Sequence, residues 1–236
     1  MADIEIGRGK RGRVAYSFDE VAVAPSRRTR DADEVSTAWQ IDAYRFDAPI
    51  IAAPMDSVVS PASAVTLSDL GILAVLNLEG IWTRYADPAP MLDRIRGLPQ
   101  HEAIAHLQKT YGDAPVNPEL IAQRVAEMRA GGATVAVAVS PSSAATLAPS
   151  AVAAGIDLLV IRGTTVSAEH VSSSGAPLNL KTFIYELEVP VIVGGCATYQ
   201  AALHLMRTGA AGVLVGFGGG AAHTTSEVLG IRVPMA

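Results

Sequence analysis

The chain has 236 residues, long enough for one large domain with a core of its own. Half of the residues are hydrophobic, 17% are charged and the formal net charge is −5, which argues against general nucleic-acid affinity. A single cysteine, Cys196, excludes an internal disulfide framework; with no apolar signal core at Met1-Ala2-Asp3-Ile4-Glu5 and no unbroken apolar run near the roughly 18 residues of a membrane span, the protein is expected in the cytoplasm.

Residues 1–47 are irregular and mixed in charge, and read as an N-terminal arm with room for one hairpin. Its basic residues (Arg8, Lys10, Arg11, Arg13, Arg27, Arg28 and Arg30) read as a solvated segment, with an anion site as the rarer alternative. Residues 48–236 read as the catalytic domain. Pro49-Ile50-Ile51-Ala52-Ala53 is the first buried strand. Ser60-Pro61 opens a helix, because Ser caps well and Pro suits the first helical position; Gly71 ends it. The second strand runs from Ile72 to Leu76, and Asp87-Pro88 opens a helix with Met91, Leu92 and Ile95 on one face. Residues 99–116 form a short polar insertion, partly helical. Asn117-Pro118 starts a helix carrying Leu120, Ile121, Val125 and Met128. The third strand is Thr134 to Val139, and Ser140-Pro141 begins the next helix. The fourth strand is Asp157 to Ile161, Asn179 caps a helix, the fifth strand is Pro190 to Val193 and Thr198 caps another helix. The sixth strand, Gly212 to Phe217, leads into Gly218-Gly219-Gly220-Ala221-Ala222-His223-Thr224-Thr225.

Six strand–helix steps predict a parallel sheet with helices outside it. The short apolar strands and the polar or glycine-rich breaks at strand C-termini favour an α/β fold of the TIM (β/α)8 barrel type over a doubly wound open sheet. About six of the eight units are present. Fewer residues follow Phe217 than the roughly 30 of a further βαβ step, so the spacing reads as a barrel cut after its sixth strand.

Four constellations fall at strand C-termini. The Gly216-Phe217-Gly218-Gly219-Gly220 turn lets backbone groups approach a phosphate or a cation, or simply turns the chain tightly. Asp56, in Pro54-Met55-Asp56-Ser57, would bind a hydroxyl or cap a turn. Arg162-Gly163-Thr164-Thr165 suits ribose or phosphate recognition, or turn chemistry. Cys196 reads as a small buried hydrophobe before a nucleophile. His101, His106, His170 and His204 lack metal-type spacing, whereas His223 sits in the glycine loop. No GxGxxG follows the first strand.

Three stretches of the chain resemble the IMP dehydrogenase/GMP reductase family, in its bacterial branch without a CBS regulatory module. They are Tyr16-Ser17-Phe18-Asp19-Glu20-Val21 through Pro25-Ser26, then Ala53-Pro54-Met55-Asp56-Ser57-Val58, and finally Val215-Gly216 through Thr224-Thr225. The insertion at 99–116 stands where other members carry CBS domains. The resemblance implies a usually tetrameric barrel in guanine nucleotide metabolism, so a homo-oligomer at full length. It implies IMP or GMP as substrate, NAD or NADP as cofactor, and hydride transfer at purine C2. It places His223 and Thr225 at the catalytic loop, and Met55, Asp56, Cys196, Gly218, Gly219, Gly220 and Ala221 by the nucleotide. Arg162, Gly163 and Thr164 fall beside the cofactor, and carbonyls of Gly218, Gly220 and His223 where the family often holds potassium. The family's nucleophile is a cysteine where this chain has His223, and imidazole lacks a thiolate's nucleophilicity. That departure leaves a non-catalytic nucleotide-binding or assembly paralogue as the alternative.

Overall fold

The computed structural model of the protein describes residues 3–25, 27–163, 178–216, 228, 230 and 232–236. Two hairpins precede the main sheet, one more than the sequence pattern indicated. Strands β1 (Asp3–Gly7) and β2 (Lys10–Arg13) pair antiparallel and are exposed along nearly their whole length. Arg13 meets Asp3 across this ribbon at 3.5 Å, with both side chains in solvent, so the pair adds little stability. Strands β3 (Trp39–Ile41) and β4 (Tyr44–Phe46) form the second hairpin, turned at Asp42 with φ +50°. An aspartate tolerates that left-handed conformation better than most residues.

Six parallel strands then line up in chain order from one edge of a sheet to the other. They are β5 (Ile51–Ala52), β6 (Leu73–Asn77), β7 (Ala136–Val139), β8 (Leu158–Arg162), β9 (Val191–Cys196) and β10 (Gly212–Val215). Between and around them lie α1 (Pro61–Asp69), α2 (Ala89–Arg96), α3 (Gln100–Asp113), α4 (Pro118–Ala130), α5 (Ala144–Ala153), α6 (Leu180–Glu186) and α7 (Tyr199–Met206).

Alternation along the strands separates two cores. Ala74, Leu76, Val137, Val139, Leu159, Ile161, Val191, Val193 and Cys196 face a layer shared with Ala64 of α1, Ile121 and Met128 of α4, Ala148 of α5, Ile184 of α6 and Leu205 of α7. Leu73, Val75, Ala136, Ala138, Leu158, Val160 and Ile192 face the other way, where Ile41 and Phe46 of the β3–β4 hairpin cover them. Each buried Val, Leu or Ile side chain among them is worth roughly 1.5–3 kcal/mol of transfer free energy. Among the described residues no helix contributes to this second core. A doubly wound sheet needs helices on both faces, so the arrangement is that of an incomplete (β/α)8 barrel, curled about its inner face and floored by the hairpin. The hairpin is fastened from below by Asp157, whose Oδ1 accepts from the Tyr44 hydroxyl at 3.3 Å and from Arg129 at 3.0 Å.

Several helix starts follow their capping residues. Ser60 accepts from the Ser63 N–H at 3.0 Å, Asn179 from Thr182 at 3.1 Å and Thr198 from Ala201 at 3.1 Å. Asn117 also caps, through the Glu119 N–H at 2.9 Å. Ser140-Pro141 does not open its helix: the chain first makes a turn, and α5 begins at Ala144. The turn arises because Ser140 is drawn to a glutamate across the rim, as described below. The fifth strand continues past Val193 to Cys196: Gly194 pairs with Leu214 and Cys196 with Val215, and the register shifts at Gly195 between them. The insertion at 99–116 is mostly one helix, α3, of 14 residues.

Candidate active site

Because all six strands are parallel, their C-terminal ends share one rim, the end at which barrel enzymes build their sites. Met55 follows β5 and is 46% exposed, and its carbonyl accepts from the N–H groups of Val58 and Val59 at 2.9 Å each. After β6, the Glu79 carboxylate crosses to the end of β7. It accepts from the Ser140 N–H at 2.5 Å, the Ser140 hydroxyl at 2.9 Å and the Ser143 hydroxyl at 2.6 Å. This ledge of one carboxylate and two hydroxyls ties two neighbouring strand ends together.

Arg162 is the last residue of β8. Leu158 and Val160, four and two positions earlier, face the inner core, so Arg162 falls on the same inner face at the rim. It is exposed and forms no ion pair among the described residues. Gly163 continues the ladder: its N–H donates to Gly194 O at 2.9 Å, and its carbonyl accepts from the Gly195 N–H at 3.2 Å. A Cβ on Gly195 would lie 2.6 Å from the carbonyl oxygen of Gly216, so the close approach of the β9 and β10 ends requires glycine there. Gly216 itself has φ +133° and donates to Cys196 O at 2.8 Å.

Cys196 is 3% exposed and belongs to the core between sheet and helices. Its thiol points to Leu214 O at 3.6 Å, and burial pushes its pKa above the ordinary thiol value. Its part at this strand end is packing, and the neutral thiol is a poor nucleophile. Thr164, Gly218, Gly219, Gly220, Ala221, His223 and Thr225 lie outside the described residues. Among the described residues no group of three or more His, Cys, Asp or Glu side chains could hold a metal ion.

Asp56 turns its carboxylate into the loop that follows β6. Oδ2 accepts from the Ile81 N–H at 3.0 Å and from the Tyr111 hydroxyl of α3, while its backbone carbonyl accepts from Trp82 Nε1 at 3.4 Å. Oδ1 is shielded from water and has no partner among the described residues. Gly80 makes the seat possible, since a Cβ there would stand 2.0 Å from Oδ1. Burial pushes the Asp56 carboxyl above the usual aspartate range, and the Tyr111, Ile81 and Arg84 contacts pull against that rise. Burial, followed by the bond to Asp56, pushes the Tyr111 phenol upward as well.

Sequence reading singled out Met55, Asp56, Arg162 and Gly163, and the structure sets all four at this rim. Glu79, Ser140 and Tyr111 escaped it. Glu79 follows a strand end and was open to the same reasoning. Tyr111 was not, because its partner lies 55 residues away in the chain.

A parallel half-barrel with a polar C-terminal rim defines a class of α/β enzymes, and comparison with known proteins narrows it. The IMP dehydrogenase / GMP reductase domain matches residues 15–236, and the chain belongs to that family. An uncharacterized oxidoreductase of Mycolicibacterium smegmatis is 52% identical over 99% of this chain, and uncharacterized oxidoreductases of Mycobacterium tuberculosis and Mycobacterium leprae are equally similar. The chain spans 64% of the length of these relatives. An IMP dehydrogenase/GMP reductase-like protein from Corynebacterium glutamicum superposes with a TM-score of 0.91 at 43% identity, covering 99% of this chain and 62% of that one.

Proposed function

We propose that the protein is an oxidoreductase that moves a hydride between C2 of a purine nucleotide, IMP or GMP, and a nicotinamide cofactor in guanine nucleotide metabolism. The supporting observation is the rim itself: the Pro54-Met55-Asp56-Ser57 stretch and the strand leading into the glycine loop both stand at the C-terminal end of one barrel that belongs to this family. A bound nicotinamide supplies the hydride acceptor or donor. The residues present fit such a group at one point. Arg162, inward at the rim and unpaired among the described residues, suits a ribose-bound phosphate, because a guanidinium binds phosphate bidentately. That tilts the reading toward NADP over NAD.

Met55 offers an exposed, polarizable thioether against which a flat base can lie. Gly218, Gly219, Gly220 and Ala221 are assigned to the nucleotide, and His223 and Thr225 to the reacting carbon, by the resemblance of their loop; potassium would sit on carbonyls of Gly218, Gly220 and His223. Imidazole at the position of a thiolate serves proton transfer better than covalent attack. The family's location in the cytoplasm and its homo-oligomeric state are proposed with the function. Among the described residues no helix is long and apolar enough to cross a membrane.

The test is to incubate the protein with IMP and oxidised cofactor, or with GMP and reduced cofactor, and to follow nicotinamide absorbance together with the purine product. Turnover that is lost in His223→Ala supports the reading. Nucleotide binding without hydride transfer moves the assignment to a non-catalytic paralogue, and no binding of IMP or GMP refutes it.

A further inference from the structure

Helix α3 stands outside the barrel, and most of its first ten residues are exposed, including Ile104 at 57%. Its C-terminal turn, by contrast, is bolted to the rim. The Arg84 guanidinium donates from Nη1 to the carbonyls of Tyr111 at 2.9 Å and Ala114 at 2.5 Å, and from Nε to Glu79 O at 3.0 Å. It also lies over the Tyr111 ring, 5.6 Å from the centroid. The Tyr85 hydroxyl donates to Thr110 O at 2.8 Å. Beside these bonds, the Tyr111 hydroxyl donates to Asp56 Oδ2. Apart from the Arg84–Glu79 bond, which braces the loop after β6 from within, each of them ties α3 to that loop or to the residue next to Met55.

The seat of Asp56 is energetically expensive. A carboxylate oxygen shielded from water and without a partner among the described residues costs more than an exposed one, and buried polar atoms of this kind call for an explanation. Packing alone gives none, because an apolar residue would fill the space without that penalty. What the carboxylate provides is a directional link. It takes one bond from the β6 loop and one from α3, and its own backbone carries Met55.

We infer that Tyr111 is a positioning residue: α3 acts as an external splint that, through the Tyr111–Asp56 bond, sets where Met55 stands at the rim and so how tightly the purine nucleotide is held. The inference rests on the nucleotide reading of the preceding subsection and deepens it. Trp82 is a native reporter of the joint, because its indole N–H bonds the Asp56 carbonyl. The sequence holds 2 tryptophans, and the other, Trp39, lies at the barrel floor stacked on Phe46, so Trp39→Phe isolates the Trp82 signal.

The experiment uses the natural protein, with IMP, GMP and the nicotinamide cofactor titrated separately. Tyr111→Phe removes only the hydroxyl, and the dissociation constant of the bound nucleotide is expected to rise about tenfold, as loss of a charge-assisted hydrogen bond implies. Cofactor affinity is expected to change by less than about twofold, since its proposed contact, Arg162, lies on another strand. Arg84→Gln frees the same turn and is expected to weaken nucleotide binding alike, with the double variant no weaker than about the worse single one. Nucleotide binding is expected to shift Trp82 emission in the Trp39→Phe background, and the shift is expected to shrink with Tyr111→Phe.

A merely structural Tyr111 would lower thermal stability and leave both affinities alike; that result overturns the inference while the nucleotide reading stands. A Trp82 signal blind to bound nucleotide overturns it too, and needs neither joint variant to fold. An unaltered protein that binds neither IMP nor GMP sinks the nucleotide reading and the inference together.

Discussion

At the scale of single residues, Asp56 shows how a sequence motif and its surroundings divide the work. The motif marked the residue, and its place after the first strand put it at the rim. Its chemistry depends on Ile81 and Tyr111, which lie 25 and 55 residues away in sequence, and no local pattern links them. Two predictions follow from that seat. Gly80→Ala would place a methyl group 2.0 Å from Asp56 Oδ1. Overpacking of this kind costs about 1–3 kcal/mol, so denaturant melts should show a loss of that order; an unchanged midpoint would mean that Asp56 moves freely. The second concerns pH. The folded-state pKa of Asp56 is raised above the ordinary 3.8, so the folded protein binds the proton more tightly than the unfolded chain does. From about 3.8 upward to the raised value, stability contributed by this group therefore falls as pH rises. Asp56→Asn removes the titration. Its melting temperature relative to the unaltered protein should improve as pH climbs through that window, and a constant or shrinking difference would contradict the burial argument.

At the scale of elements, helix starts were readable where a capping side chain had only its own helix to serve. Ser60, Asn179 and Thr198 did so. Ser140 had the same look, but it spends its hydroxyl and its N–H on Glu79, and α5 starts later. Tertiary contact outcompeted local propensity there. Helix α4 carries a similar long-range tie. Arg124 is 5% exposed and donates to Trp82 O at 2.9 Å, Tyr85 O at 3.2 Å and Ala86 O at 2.7 Å. It thus binds the rim loop to the helix layer. Arg124→Met keeps the volume and strands three carbonyls, for an expected loss of about 2–4 kcal/mol. For a domain of this size that is a fall of roughly 4–16 °C in Tm, measurable by calorimetry. A fall of under one degree would show that solvent satisfies the loop without Arg124.

At the scale of the molecule, the barrel assignment rests on the asymmetry of its two faces. Strand and helix spacing suggested it, and the inner core, helix-free among the described residues and floored by Ile41 and Phe46, bears it out. The sequence pattern left residues 1–47 room for one hairpin but did not place this one, because three-residue strands turned at Asp42-Ala43 carry almost no periodic signal. Strands β5 and β10 each have one hydrogen-bonded neighbour among the described residues, and Ile51 and Val215 near these edges are 39% and 63% exposed. Unpaired strand edges with apolar side chains template association. This 236-residue polypeptide, prepared alone, is expected to self-associate in light scattering. A compact monomer with cooperative unfolding would show that the two edges are covered.

The central claim is that this rim receives a purine nucleotide, and calorimetric titration of IMP and of GMP into the natural protein tests it most directly. Saturable binding of at least one of them, weakened in Tyr111→Phe while cofactor binding persists, is the predicted result. Heats no different from dilution for both nucleotides, with and without cofactor, would contradict it.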